Sequence, residues 1–118
     1  MKRSLVVPVA LFISLGGLVT SGLRADEAAK PDAQKVDKGK QIYNAQHCNM
    51  CHSVAGKGNP KTPLDDVGSR MTADEMKKYI TGPKSVKADS KMKAYTSLPA
   101  EDLDALVAYL QTLTKKAS

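Results

Sequence analysis

The sequence predicts an all-α domain of three or four short helices joined by long ordered loops. Three stretches carry apolar residues at helical spacing, and no stretch alternates apolar and polar residues as a half-buried strand does. Glycine and proline are concentrated between the helical stretches, at positions 56, 58, 60 and 63 and again at 82 and 83. The pattern favours an α fold in which loops form much of the chain.

The first 25 residues have the organisation of a secretory signal peptide. A basic start is followed by an apolar run over residues 5–19 and then by small and polar residues. We predict cleavage after Ala25, with Ser21 as the alternative site. An uncleaved membrane anchor is the weaker interpretation, because the run is shorter than the ~20 residues of a spanning helix and contains Gly16 and Gly17. The prediction is an exported protein, periplasmic in a bacterium, with no stable membrane span after cleavage.

Charge and composition exclude some classes of function. The chain of 118 residues has a net charge of +6, and cleavage after Ala25 removes three of its 18 basic residues but none of its 12 acidic ones, which leaves +3. Nucleic-acid binding needs a more concentrated basic face, so we predict none. The sequence has no Trp, and its single Phe lies in the signal segment. A chain so poor in large side chains has a marginal core of its own.

The first helix is predicted from Val36 to about Ala45. Residues 26–35 before it are polar and read as a flexible linker, so the folded domain is predicted over residues 36–118. Val36, Gly39, Ile42 and Tyr43 share one helical face. Glycine costs up to about 1 kcal/mol in a helix interior, so Gly39 indicates the close approach of another helix.

The second helix is predicted from about Ala73 to Thr81. Thr72 and Glu75 have the spacing of a capping box, and Gly82 with the following proline ends the helix. The segments on either side, residues 53–70 and 83–97, are predicted as ordered loops. A loop as long as the second is usually functional in a compact domain.

The last helix is predicted from about Pro99 to Thr114. Proline suits the first helical position, and acidic residues at 101, 102 and 104 favour the positive end of the helix dipole. Its apolar face has strong helical periodicity and consists of Leu103, Leu106, Val107, Leu110 and Leu113.

Both cysteines of the chain lie in one pentapeptide, Cys48-Asn49-Met50-Cys51-His52. Two thiols separated by two residues, with a histidine after the second, form the c-type haem attachment pattern. On one helical turn, Cys48 and Cys51 can each add to a haem vinyl group, and His52 can then bind the iron as its proximal ligand. The motif predicts one covalently attached haem c.

Two neighbouring thiols are compatible with three other kinds of site. A thioredoxin-like redox pair, which would make this a haem-free thiol protein, requires a βαβ context that the pattern lacks. A zinc site requires at least two further Cys or His ligands, and the only histidines are His47 and His52 beside the cysteines. A structural disulfide is the third interpretation. The haem motif is more specific than any of these.

Met92 is the predicted distal ligand of the iron. His47 lies too close to His52 to reach the opposite face, and Met50 lies inside the motif. Met71 precedes the second helix, and Met76 falls on its apolar face, where methionine usually fills the core. Met92 lies in the unpatterned loop, 40 residues after His52.

From about Val36 to Leu113 the chain resembles a class I monohaem cytochrome c. The matching pieces are Gly39-Lys40-Gln41-Ile42-Tyr43, Cys48-Asn49-Met50-Cys51-His52, Pro63-Leu64, Lys91-Met92-Lys93-Ala94-Tyr95 and Leu106-Val107-Ala108-Tyr109-Leu110, in the family's order. The resemblance implies a small cytochrome c fold wrapped around one covalent haem. It assigns Cys48 and Cys51 to the thioethers, His52 to the proximal position and Met92 to the distal position.

The resemblance also implies supporting roles. Gly39 and Tyr43 are expected to cross the last helix near Leu106 and Tyr109. The carbonyl of Pro63 is expected to accept a hydrogen bond from the outer ring nitrogen of His52. Without a tryptophan, Arg70 or Tyr79 is the candidate partner of a haem propionate.

The chain departs from the family pattern at two points. Lys93 stands where the family often has proline, which leaves the distal loop less rigid. Five steps separate Tyr43 from Cys48 instead of the more usual four, so we expect a small bulge before the motif.

The predicted function is one-electron transfer and not enzymatic catalysis, because His/Met ligation raises the potential of the iron and leaves no position for substrate. The segment around Met92 carries four lysines, Lys84, Lys87, Lys91 and Lys93. They form either a solvated loop or a basic ring. A basic ring would steer the protein, which is predicted to be a monomer, to redox partners with acidic docking surfaces. The alternatives are a haem protein with a labile Met92 that binds small ligands or has peroxidatic activity, and a haem subunit of a larger oxidoreductase complex.

Overall fold

The computed structural model describes residues 31–115. The predicted signal peptide and the first half of the predicted linker, residues 26–30, lie outside these residues. The helices are α1 (Ala33–Ala45), α2 (Val67–Arg70), α3 (Ala73–Thr81), α4 (Pro83–Val86) and α5 (Ala100–Gln111), with a 3-10 turn at Cys48–Met50 and a hairpin of strands β1 (Ser53–Val54) and β2 (Lys57–Gly58). The all-α class is therefore confirmed, with a minimal β element added.

The three periodic stretches form the three longest helices. α1 begins at Ala33, three residues before Val36, because the side chain of Asp32 accepts a hydrogen bond from the Gln34 N–H (3.0 Å) and caps the helix. Residues 33–35, assigned to the linker from sequence, are therefore helical. α5 begins at Ala100, directly after Pro99, and ends at Gln111, earlier than the predicted Thr114.

α3 has the predicted bounds and the predicted cap. The side chain of Thr72 accepts from the Glu75 N–H (3.3 Å), and the Glu75 carboxylate accepts from the Thr72 N–H (2.7 Å). Two N–H groups at the start of the helix are satisfied in this way. The capping box is confirmed.

The two predicted loops contain short elements that the sequence pattern did not indicate. In the first loop, Ser53 pairs with Gly58 and Val54 with Lys57. The two residues between the strands, Ala55 (φ 49°) and Gly56 (φ 74°), both have the left-handed backbone that a tight hairpin turn requires. Within residues 31–115, the four-residue helices α2 and α4 bring the α-helices to five, where three or four short helices were expected.

α5 is the centre of the core and packs against α1, α2 and α3. Its residues Ala105–Leu110 are all buried. α1 crosses it at Gly39, where a Cβ atom would overlap the carbonyl oxygen of Ala105 and lie 2.7 Å from the Cβ of Tyr109. Beside this crossing the rings of Tyr43 and Tyr109 meet edge to face, with centroids 5.7 Å apart. Glycine at position 39 is thus required by the helix contact.

Within residues 31–115, no helix has the length and apolar character needed to cross a membrane.

Candidate haem site

The cysteine motif forms one tight turn directly after α1. The carbonyl of Cys48 accepts hydrogen bonds from the N–H groups of Cys51 (3.2 Å) and His52 (2.9 Å), so the motif is wound as a helical turn. His47 precedes it with a left-handed backbone (φ 56°). This conformation accommodates the extra residue between Tyr43 and Cys48, at the position where the bulge was expected, and histidine tolerates it better than β-branched residues do.

The ring of His52 is fixed by a backbone carbonyl. Its Nδ1–H donates to the carbonyl of Thr62 (3.1 Å), and because a carbonyl can only accept, the Nε2 atom is left with its lone pair free. The acceptor is therefore Thr62 and not the expected Pro63. The register of the backbone pairing explains this difference. Ser53 pairs in parallel with Pro63, and the N–H of Ser53 donates to the carbonyl of Thr62 (3.3 Å). The Thr62 carbonyl therefore lies beside His52, the residue before Ser53.

The backbone of the hairpin packs tightly against the motif. The N–H of Asn59 donates to the carbonyls of Asn49 and His52, at 3.1 Å each. Gly58 lies against the same two carbonyls with φ 107°, a conformation and a space that exclude a side chain. The hairpin therefore holds the histidine turn from outside.

A cavity of about 340 Å³ opens beside the motif and has mostly apolar walls. Six of the residues singled out from sequence line it: Tyr43, Cys48, His52, Pro63, Arg70 and Met92. Cys51 is exposed, and Gly39 and Tyr109 lie at the α1–α5 crossing and not in the described cavity wall. The structure thus brings one thiol, the histidine and the loop methionine to a single cavity.

The rest of the wall comes from residues to which sequence reasoning gave no cofactor role. They are Gln46, Thr62, Leu64, Val67, Met71, Met76, Ile80, Tyr95, Leu106 and Leu110. Tyr79, the other candidate propionate partner besides Arg70, lines the cavity as well. The apolar faces of α3 and α5 were signals for several of them. Tyr95 and Thr62 had no such signal, because loop residues carry no periodicity.

Burial sets the ionisation of two side chains at the cavity. It raises the pKa of the Cys48 thiol to about 11, so this sulfur is a protonated thiol at neutral pH before any bond forms. Burial also raises the pKa of Tyr43 to about 12.

Arg70 is held at the cavity by its own helix. Its Nε lies 2.9 Å from Oδ1 of Asp66, one helical turn earlier. About half of the Arg70 side chain is exposed, so the ion pair orients the guanidinium at low energetic value. A cation in the cavity wall suits an anionic group at the rim.

The residues present fit a covalently held haem. The walls are apolar, as a porphyrin face requires. A thiol stands in the wall, His52 has a free Nε2, and methionine sulfur is available as a second soft ligand, which is a donor set for haem iron. When bound, haem supplies an iron that cycles between the ferric and ferrous states by taking up and releasing one electron.

A small helical fold with a Cys-x-x-Cys-His turn beside an apolar cavity defines the class of covalent haem proteins. The family model for cytochrome c matches residues 36–114, and the chain belongs to the cytochrome c family. Its cofactor is accordingly one covalently bound haem c.

One curated relative is a component of a larger enzyme. The chain is 29% identical over 96 residues to cytochrome c oxidase subunit 2 of Alkalihalophilus pseudofirmus. The match covers 74% of this chain and 28% of the relative. The chain therefore spans little more than a quarter of that subunit's length.

Proposed function

We propose that this protein is an exported one-electron carrier whose haem iron is bound by His52 and Met92. The observation that carries the proposal is that both side chains, together with Cys48, line one apolar cavity. Histidine and thioether ligation raises the reduction potential, because sulfur stabilises ferrous iron. An iron held by two side chains of the protein would favour electron transfer over the binding of a substrate.

Three methionines line the cavity, and their surroundings support Met92 as the ligand. Met76 is only 2% exposed and belongs to the core cluster with Ile80 and Leu106. Met71 is the C-cap of α2, one residue before the cap of α3, so its backbone is fixed from both sides. Met92 is half-buried in an irregular loop, where the backbone is free to present the sulfur atom.

The optical spectrum of methionine variants tests the assignment. We expect the ferric wild type to have the weak long-wavelength iron–sulfur charge-transfer band, and Met92→Ala to lose it. Met71→Leu is the matched control, because it also removes a thioether from the same cavity. It should keep the band, since Met71 is not the proposed ligand. Loss of the band in Met71→Leu together with its retention in Met92→Ala would transfer the distal role to Met71.

The resemblance to an oxidase subunit favours one alternative, a haem subunit of a larger oxidoreductase complex. The matched region covers most of this chain but a minor part of the relative, as expected for one shared haem domain. Size-exclusion chromatography of the native protein from its own cells separates the two proposals. A free carrier elutes at the mass of a single chain, whereas a subunit elutes with a larger assembly.

Export is part of the proposal and is tested on the mature chain. Cleavage after Ala25 predicts that the intact mass of the purified holoprotein equals residues 26–118 plus one haem. A mass that includes the first 25 residues would support the membrane-anchored alternative.

A labile Met92 is the other alternative, and it follows from Lys93 in the position after Met92. Prompt carbon monoxide binding by the reduced protein at neutral pH would support a ligand-binding or peroxidatic role. We expect carbon monoxide to bind slowly, because Met92 must first dissociate from the iron.

A further inference from the structure

Among the described residues, few hydrogen bonds join the loop segment around Met92 to the rest of the fold. On one side Met92 lines the haem cavity, and on the other it borders a surface depression formed with Gly82–Ser85 and Ala94. Its neighbours Lys91 and Lys93 are exposed. Proline after Met92 would lock one backbone dihedral, and Lys93 does not. The position of Met92 therefore depends on the few hydrogen bonds that this segment makes.

The first contact comes from a buried serine two residues before Met92. Ser90 is 8% exposed, although its neighbours 84–89 and Lys91 are all exposed. Its Oγ accepts a hydrogen bond from the Met92 N–H (3.3 Å), and its own N–H donates to the carbonyl of Lys87 (2.9 Å). Ser90 thus ties the backbone of Met92 to the turn that follows α4.

The second contact comes from Tyr95, three residues after Met92. Its N–H donates to the carbonyl of Ile80 in α3 (2.9 Å), and its hydroxyl donates to the carbonyl of Gln46 (3.4 Å), which is 49 residues away at the end of α1. The ring lines the haem cavity, and the ammonium group of Lys93 lies 5.6 Å from its centre. Tyr95 therefore joins the loop to α3 and to the segment that enters the cysteine motif.

We propose that Ser90 and Tyr95 are positioning residues that hold the Met92 sulfur at the iron, one from each side along the chain. The inference rests on the proposed function, since it takes Met92 as the distal ligand. The loop exchanges between a closed form, with Met92 bound, and an open form. The Ser90 and Tyr95 hydrogen bonds exist in the closed form, so each one lowers the open fraction.

Imidazole measures the open fraction directly. It binds the iron only when Met92 has left, so its apparent affinity equals its intrinsic affinity multiplied by the open fraction. Removal of one hydrogen bond from the closed form should raise this apparent affinity about 2- to 10-fold, which is the usual net effect of one such bond.

The experiment is an imidazole titration of the ferric holoprotein, followed by the loss of the iron–sulfur band. Tyr95→Phe removes only the hydroxyl and should bind imidazole about 2- to 10-fold more tightly than wild type. Tyr109→Phe is the matched control: it removes the same hydroxyl from a ring at the α1–α5 crossing and should keep the wild-type affinity. A denaturant midpoint measured for each variant reports global stability separately.

Ser90 is tested by the same titration. Ser90→Ala leaves the Met92 N–H without its partner and should also raise the imidazole affinity. Ser90→Thr keeps a hydroxyl and should have the imidazole affinity of the wild type. An effect on the denaturant midpoint alone, with imidazole affinity unchanged in Tyr95→Phe and Ser90→Ala, would overturn the inference. A wild type without the iron–sulfur band would instead overturn the proposed function, so the two failures are distinguishable.

Discussion

At the scale of single residues, the contact at Gly39 sets how closely α1 and α5 approach. We expect Gly39→Ala to lower the free energy of unfolding by about 1–3 kcal/mol, the usual cost of overpacking. The new Cβ would overlap the Ala105 carbonyl oxygen, a backbone atom that cannot rotate away. This cost should exceed the gain in helix propensity, which is at most about 1 kcal/mol.

Denaturant unfolding of the holoprotein measures this change. Lys40→Ala, at the next position on the same helix but on its exposed side, is the control and should stay within about 0.5 kcal/mol of wild type. A Gly39→Ala protein as stable as wild type would show that the helices can separate at little cost.

The role of Gly39 could be read from sequence because a glycine inside a periodic helix violates a local preference. The partner of the His52 ring could not be assigned correctly in the same way. The choice between the carbonyls of Thr62 and Pro63 depends on the register of a single parallel bridge, Ser53 with Pro63, and register between loop segments leaves no periodic trace in the sequence. Tyr95 was missed for a related reason, since its hydroxyl bonds to the carbonyl of Gln46, 49 residues away. Ser90 was missed because a serine in an irregular loop has no periodicity that would indicate its burial.

At the scale of elements, the start of α3 has a pH-dependent cap. Hydrogen bonds from the N–H and then the hydroxyl of Thr72 lower the pKa of Glu75 below its ordinary 4.5. A carboxyl with a lowered pKa in the folded state stabilises the fold fully above its unfolded pKa, and that contribution is lost as pH falls through the folded pKa. The cap therefore weakens on acidification below about pH 4.5.

We expect Glu75→Gln to be less stable than wild type near pH 7 and the difference to shrink as pH falls below 4.5. Glutamine can still accept the capping hydrogen bonds, so the variant removes only the charge. Denaturant unfolding from pH 7 to pH 3 measures both curves, with Asp74→Asn as a control that removes a carboxylate from the same turn. A constant difference over this range would contradict a charge-dependent cap.

The longer elements could be predicted and the shorter ones could not. α1, α3 and α5 are each at least nine residues long, enough for two turns of apolar periodicity and for a cap. The strands have two residues each, and α2 and α4 have four, too few to define any period. The hairpin turn Ala55-Gly56 also lacks the Asn-Gly or Asp-Gly pair that identifies such turns most strongly.

At the scale of the whole molecule, the cavity lies among the helices that form the core. Its wall includes residues of α1, α2, α3 and α5, among them Tyr43, Val67, Met76 and Leu106. Without a bound group, the mostly apolar wall of this open cavity would face water, which is unfavourable by about 25 cal/mol per Å² of apolar surface. A domain of this size is stable by only about 5–15 kcal/mol, so the fold depends on a filled cavity.

Removal of the haem should therefore abolish cooperative unfolding. The variant Cys48→Ser with Cys51→Ser, prepared without haem, is expected to lose its near-ultraviolet circular dichroism and its sigmoidal denaturant transition. His47→Asn is the control next to the motif, because it should retain both the haem and the left-handed backbone at that position. A cooperative transition in the haem-free variant would mean that the helices collapse onto one another without the cofactor.

The positive charge of the molecule is concentrated partly in the segment around Met92, where it can act on an approaching redox partner. Lys84, Lys87, Lys91 and Lys93 are all exposed in the segment around Met92, and Lys87 forms a long, exposed ion pair with Asp89 at 3.9 Å. If these lysines surround the point at which electrons leave, an anionic reagent should react fastest at low ionic strength and slow as salt screens the charges. Oxidation of the reduced protein by ferricyanide, followed over a salt series, measures this effect.

Local and net charge are separated by two variants of equal charge change. Lys91→Glu with Lys93→Glu should slow ferricyanide oxidation strongly at low salt. Lys35→Glu with Lys40→Glu, at exposed positions on α1, should slow it much less. Both variants lower the net charge by the same amount, so only the position of the charges differs. Equal slowing in both would mean that the net charge alone steers association and that the lysines near Met92 form an ordinary solvated loop. A larger effect at positions 91 and 93 would support a docking surface for acidic redox partners beside Met92, on the segment that contains the Ser90 and Tyr95 hydrogen bonds.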